Sequence, residues 1–160
     1  MNVKLRLASI IICLPFTGSA QGFAGLGTQA EGFAIPNQQQ VLEFPRDHGP
    51  HNNFRIEWWY LTANLNGVDG REYGVQWTLF RTALSPGEQA GWSSPQIWMG
   101  HVGLTTREVQ YYEERLARGG IGQAGVTTQP FTAWIDSWEL ASSDQTLQNL
   151  SVTANSREFL

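Results

Sequence analysis

The sequence predicts an all-β protein, an antiparallel barrel or sandwich in which consecutive strands are joined by short turns. Three observations predict it. Glu57 to Leu65, EWWYLTANL, is dense in aromatic residues and reads as a strand. Asn66 to Arg71 then supplies Asn-Gly and Asp-Gly, the dipeptides that a tight hairpin reversal favours. Glu72 to Arg81 alternates on the way back, with Tyr73, Val75, Trp77 and Leu79 on one face and Gly74, Gln76, Thr78 and Phe80 on the other. Residues 57–81 are therefore expected to form a long-armed hairpin, and the turn clusters that follow extend the same plan.

The chain begins with an address. Lys4 and Arg6 precede an apolar run from Leu7 to Leu14, Pro15 breaks it, and Gly18-Ser19-Ala20 offers small residues to a signal peptidase. Residues 1–20 are read as a signal peptide cut before Gln21, so the mature protein is expected to be exported, periplasmic or secreted. The run is shorter than the roughly 20 residues that a spanning helix needs, so an integral membrane protein is not expected. Ile12 stands where a small residue should precede a lipidated cysteine, which argues against Cys13 as a lipid anchor. Residues 21–40, rich in Gly, Ala and Gln, read as a flexible leader, and 41–160 as the domain.

Removing the signal also removes the one cysteine and the one lysine. Eight arginines then face 14 acidic residues, a net charge of −6. Such a chain has no disulfide, no thiol nucleophile and no basic footprint for nucleic acid. Seven tryptophans point to aromatic burial as the source of stability.

Further elements follow in order. Val41 to Phe44 could make a short strand, and Asp47 to Asn53 is a dense turn segment. Ala83 to Pro95 is a loop. Gln96 to Thr105 reads as a strand, with Ile97, Met99 and His101 on one side and Trp98, Val102 and Leu104 on the other. Val109 to Arg118 is ambiguous, since Glu113, Glu114, Arg115 and Arg118 would suit a short helix ended by Gly119-Gly120. Phe131 to Leu140 and Leu147 to Thr153 look like strands joined by a polar turn near Ser142 to Gln145. The apolar pair Phe159-Leu160 looks like a strand cut short.

Chemistry concentrates in Phe44 to Leu65, where Asp47, His48, His51 and Glu57 crowd against Trp58, Trp59 and Tyr60. His48-x-x-His51 with Glu57 is a loose metal pattern without the helical H-E-x-x-H geometry, and no metal is assigned. Asp47 and the histidines can instead hydrogen-bond the turn and lock the hairpin entry. Glu57 shares a face with Trp59 and Leu61, so it either pairs with Arg55 or Arg81 or acts as an acid at a barrel rim. His101 is expected as a satisfied core histidine. No G-x-S-x-G, phosphate loop or dinucleotide fingerprint is present, and no cofactor is expected.

The segment Phe44-Pro45-Arg46-Asp47-His48-Gly49-Pro50-His51, followed by Glu57-Trp58-Trp59-Tyr60-Leu61-Thr62, resembles the hallmark of the carotenoid 1,2-hydratase family, also called the hydroxyneurosporene synthase or AttH-like family. Gln76 to Arg81, Gly100 to Leu104 and Asp136 to Leu140 are similar to further stretches of that family, so the resemblance runs from about Leu42 to the C-terminus. It implies a lipocalin-like fold of two barrel-like halves, of which this chain is the first. Some members of the family hydrate the terminal double bond of acyclic carotenoids, whereas many exported ones have no settled activity.

Three functions are in play. The first is a barrel that binds a hydrophobic small molecule, lipid- or terpenoid-like, with Trp58, Trp59, Tyr60 and Trp77 as walls and His51, Gln76 and His101 as polar contacts. The second is a cofactor-independent hydratase or isomerase of a prenyl-type alkene. There Asp47 or Glu57, with His48 alongside, would protonate the alkene, and the aromatic faces would stabilise the carbocation. The third is an accessory protein of an ABC transporter, with the permease as partner.

Overall fold

The computed structural model describes residues 31–144, 146–157 and 159. The expected signal peptide, and the expected leader up to residue 30, lie outside the described residues. Residues 31–40 carry no strand or helix, and Ala34 N–H donates to the Asn53 carbonyl.

Eight antiparallel strands form two four-stranded sheets. The first holds β1 (Ile56–Asn66), β2 (Glu72–Ala83), β3 (Gln96–Thr105) and β4 (Gln110–Arg118) in chain order; the second holds β5 (Ala124–Thr128), β6 (Phe131–Ile135), β7 (Trp138–Ser142) and β8 (Leu150–Thr153). The long-armed hairpin is present, from Ile56↔Thr82 to Asn66↔Glu72. Its turn is closed by Gly67 and Arg71, with Gly70 at φ +78° and the Asp69 carboxylate accepting from Arg71 N–H.

The inward faces make one core. Trp77 and Leu79 of β2 and Trp98 and Val102 of β3 pack against Phe131, Ala133, Ile135, Trp138 and Leu140 of the second sheet. Each large side chain so buried contributes about 1.5–3 kcal/mol over its exposed state. Gly100 lets the sheets approach, because a Cβ there would lie 2.7 Å from Ile135 Cγ2. Among the described residues no ladder joins β4 to β5 or β8 to β1, so the wall is open at two seams.

The structure corrects several element readings. Val109–Arg118 is no helix but β4, paired with β3 from Ile97↔Arg118 to Thr105↔Gln110. Its face alternates, with Tyr111, Glu113, Arg115 and Ala117 more buried than their neighbours, and Arg115 covers the Trp138 ring at 4.2 Å. Val41–Phe44 forms no strand. The stretch 131–140 is two strands, turned by Asp136 at φ +51° so that Ile135 pairs with Trp138. The last strand begins only at Leu150, because the Asp144 carboxylate gathers the N–H groups of Thr146, Gln148 and Asn149 into a loop. β5 is a strand that the sequence reading did not include.

Candidate functional site

Strand parity in the hairpin decides which side chains meet. Glu57, Trp59 and Leu61 of β1 face inward, while Trp58 and Tyr60 project outward at 53% and 67% exposure. On β2 the same parity that buries Trp77 and Leu79 carries Arg81 inside, fully buried. Glu57 and Arg81 are register partners, and Arg81 Nη2 donates to Glu57 Oε2 at 3.1 Å. The same nitrogen donates to the carbonyls of His51 and Phe54, and Nη1 donates to Gln96 Oε1 at 2.9 Å. One buried cation therefore ties the entry segment to β1, β2 and β3. Of the two arginines expected as partners, Arg81 is the one seen against Glu57.

From Glu57 the chain of contacts runs outward. His51 N–H donates to both Glu57 oxygens, and His51 Nδ1 lies 2.6 Å from Glu57 Oε1. The other ring nitrogen, Nε2, is 3.3 Å from Asp47 Oδ1. Asp47, with its side chain 1% exposed, also accepts from Arg46 Nε at 2.8 Å and from Glu43 N–H. A 3₁₀ turn over Arg46–His48 places Asp47 and His51 four residues apart on one side.

These contacts set the charge states. The Arg46 guanidinium, followed by the Glu43 N–H, holds the Asp47 carboxyl well below the usual carboxylate range. Burial pushes His51 down, but its hydrogen bonds to Glu57 and Asp47 outweigh this and raise it above its ordinary value. An imidazole whose two nitrogens each meet a carboxylate is best satisfied as a double donor. Both Glu57 oxygens act as acceptors, so the carboxylate presents no donor to the interior.

The cluster closes one end of a groove of about 470 Å³ that lies between β1 and the β7–β8 region. Its apolar wall is Leu61, Phe131, Leu140, Leu147 and Leu150; Asp47, His51 and Glu57 line its polar end. His48 lines it too, but its ring stacks on Phe44 at 4.3 Å and meets Phe131 edge-on, outside the ionic chain. The His48 carbonyl accepts from Trp59 Nε1 at 3.0 Å, and Trp59 stacks on Trp98. A larger hollow of about 600 Å³ lies between the β1–β2 and β3–β4 turns, but its lining includes Arg71, Glu72, Arg107 and Glu108 and suits water better than an apolar ligand.

Of the residues singled out from sequence, Asp47, His48, His51, Glu57 and Trp59 come together. Trp58 and Tyr60 border the groove from the strand edge with their rings largely outside. Trp77 is fully buried in the core and does not line the groove. Gln76 and His101 stand on the opposite face of the first sheet, where His101 meets Phe80 edge-on and lies 3.8 Å from Glu114; His101 is thus exposed, not a core histidine. Sequence reading missed the leucine wall and the role of Gln96. Arg81 was one of the two partners expected for Glu57, and extending the β2 alternation one step beyond Leu79 would have put it on the inward face. Among the described residues no three His, Cys, Asp or Glu side chains are grouped to hold a metal, and no helix is long and apolar enough to cross a membrane.

A family model for AttH-like proteins matches residues 35–160. A crystal structure assigned to AttH from Nitrosomonas europaea is 28% identical, with a TM-score of 0.63, over 78% of this chain. The chain spans 38% of that relative. None of the curated proteins matches it.

Proposed function

Because the chain belongs to the AttH-like family and shares its lipocalin-like, all-β fold, we propose that it binds a hydrophobic small molecule, lipid- or terpenoid-like, in the groove between β1 and the β7–β8 region. The observation that carries this reading is the joining of a leucine-lined wall to a single polar end, Asp47–His51–Glu57, within about 470 Å³. That is the design of a site that buries an apolar body and orients one polar group. The signal-like N-terminal sequence supports an exported protein on this reading, and a carrier of a poorly soluble compound has work to do outside the cytoplasm.

Hydration of a prenyl-type alkene is the second reading, and the doubly bracketed imidazole favours it. His51, held between two carboxylates, is the group at this end with a proton to give; Glu57, clamped by Arg81 and His51, is a positioning residue in that scheme. On this reading the acid is His51 in place of Asp47 or Glu57.

The test is organic extraction and mass spectrometry of the purified protein, followed by tryptophan quenching with retinol as the apolar ligand. Leu150, half-exposed at the groove mouth, can be changed to Arg without touching the core. Saturable quenching that Leu150→Arg abolishes is expected. Quenching that ignores Leu150→Arg, or none at all in the folded protein, removes the groove as the site.

A further inference from the structure

A second pocket lies on the other side of the entry segment. Where Gly49 and His51 line the groove, the alternate residues Pro50 and Asn52 line a separate pocket of about 230 Å³. Ser94, Gln96, Trp98, Gly119, Gly120 and Gly125 line it as well, with the exposed Glu88 and Gln89 at its rim.

Two observations mark it as built for a ligand. Trp98 is 5% exposed, and its Nε1–H has no acceptor among the described residues. The edge of that indole is kept open by glycine: a Cβ on Gly119 would lie 2.6 Å from Gln96 Cβ, 3.0 Å from Ser94 Oγ and 3.1 Å from Trp98 Nε1. Leaving a buried donor unmet costs about 1–3 kcal/mol, so an arriving oxygen has something to gain there. Ser94 is itself buried, and the Gln96 carboxamide uses its oxygen on Arg81, which leaves its NH2 as a donor.

The rest of the lining sets the ligand class. Among the described residues no Lys, Arg or His lines the pocket, which disfavours an anion, and the one acid there, Glu88, already accepts from Asn52 Nδ2 at 2.6 Å. What remains is a mixture of hydroxyl, carboxamide and carboxylate groups beside two indoles, Trp98 and Trp134, with Pro50, Ala124 and Val126 as apolar neighbours. The Trp134 ring lies close over Gly125, where a Cβ would meet it at 2.7 Å. Trp98, buried and stacked on Trp59, offers its N–H; the part-buried Trp134 indole can pack on the C–H face of a saturated ring, and mixed donors and acceptors match vicinal hydroxyls. The volume equals about seven or eight waters at ~30 Å³ each, enough for one sugar ring and too small for a chain of them.

We propose that this pocket binds a neutral polyol of monosaccharide size, with one ligand oxygen accepting from Trp98 Nε1. The site is independent of the apolar groove. Saturation-transfer NMR and tryptophan fluorescence on the full chain, with glucose, galactose and N-acetylglucosamine as the sugars, test it directly. At least one sugar should bind saturably. Trp98→Phe, which removes the N–H, and Glu88→Ala, which alters only the exposed rim, should each weaken it about three- to tenfold. Leu150→Arg should leave it unchanged. Circular dichroism checks that Trp98→Phe folds, and Glu88→Ala carries the test if it does not. The proposal is overturned if no sugar binds the folded protein at concentrations on the order of tens of millimolar. It is overturned equally if Glu88→Ala binds as wild type does, or if acetate binds as tightly as the sugars.

Discussion

The two faces of the first sheet are built from the same kinds of residue and have opposite fates. Inward, Trp77, Leu79, Trp98 and Val102 are shut into the core, and Arg81 with them. Outward, Trp58, Phe80, Met99 and Leu116 stand opposite one another across all four strands, with Trp58 and Leu116 exposed. Composition does not separate them, and even the pair Trp58-Trp59 is split between them. What separates them is the second sheet, which packs on one side only. The inner face also holds a charge that the outer face could have carried freely, and there it makes four hydrogen bonds: Glu57, Gln96 and the carbonyls of His51 and Phe54 are held by one guanidinium.

The sharpest way to break this contrast is to remove the buried cation. Arg81→Met removes the donor from the carbonyls of His51 and Phe54 and takes the buried guanidinium away from Glu57, which keeps its bonds to His51. It should cost about 3–5 kcal/mol by urea denaturation, with much of that recovered when Glu57→Gln is added. Unchanged stability in the single variant would mean that the network is decoration. Two positions away, Leu79→Ala should cost about 2–5 kcal/mol, since the cavity would open between the sheets.

A smaller effect follows pH. His51 has its folded pKa raised above the unfolded value of about 6.5, so folding favours its protonated form. That contribution is fully present below about pH 6.5 and is lost as pH rises through the raised folded value. Asp47 acts oppositely: its pKa is lowered on folding, so its contribution is present above about 3.9 and is lost as pH falls toward the lowered value. Denaturant midpoints across the neutral window should decline with rising pH in wild type, and His51→Gln should flatten that slope. The smallest effect belongs to the outer face, where Tyr60→Ala should change stability by about 0.5 kcal/mol or less. A loss comparable to that of Leu79→Ala would show that the outer face is covered in solution.

The hairpin was legible in the sequence because its turn chemistry and its period-two alternation point the same way. The ion pair of Glu57 was legible to within a choice of two arginines, since face parity names the acid but not the partner. β4 was not legible. Its Glu-Glu-Arg run mimics a helix, and only the ladder to β3 decides the matter. The groove was invisible for a related reason: Leu140, Leu147 and Leu150 become its wall through the packing of two sheets, which no local pattern encodes. His101 was misplaced because its flanking Ile97 and Met99 look like core while lying on the outer face.

The open seam beside β1 has a consequence for exchange with solvent. Among the described residues β1 bonds to a neighbouring strand along one edge only, whereas β2 and β3 are bonded along both. In an antiparallel ladder alternate amides point to opposite sides, so every second N–H of β1 faces the seam. Hydrogen exchange should therefore read β1 as a comb, slow and fast amides in turn along residues 56–66, beside unbroken protection in β2. An occupant of the groove that met the strand's free edge would fill in the teeth of that comb and leave its neighbours unchanged.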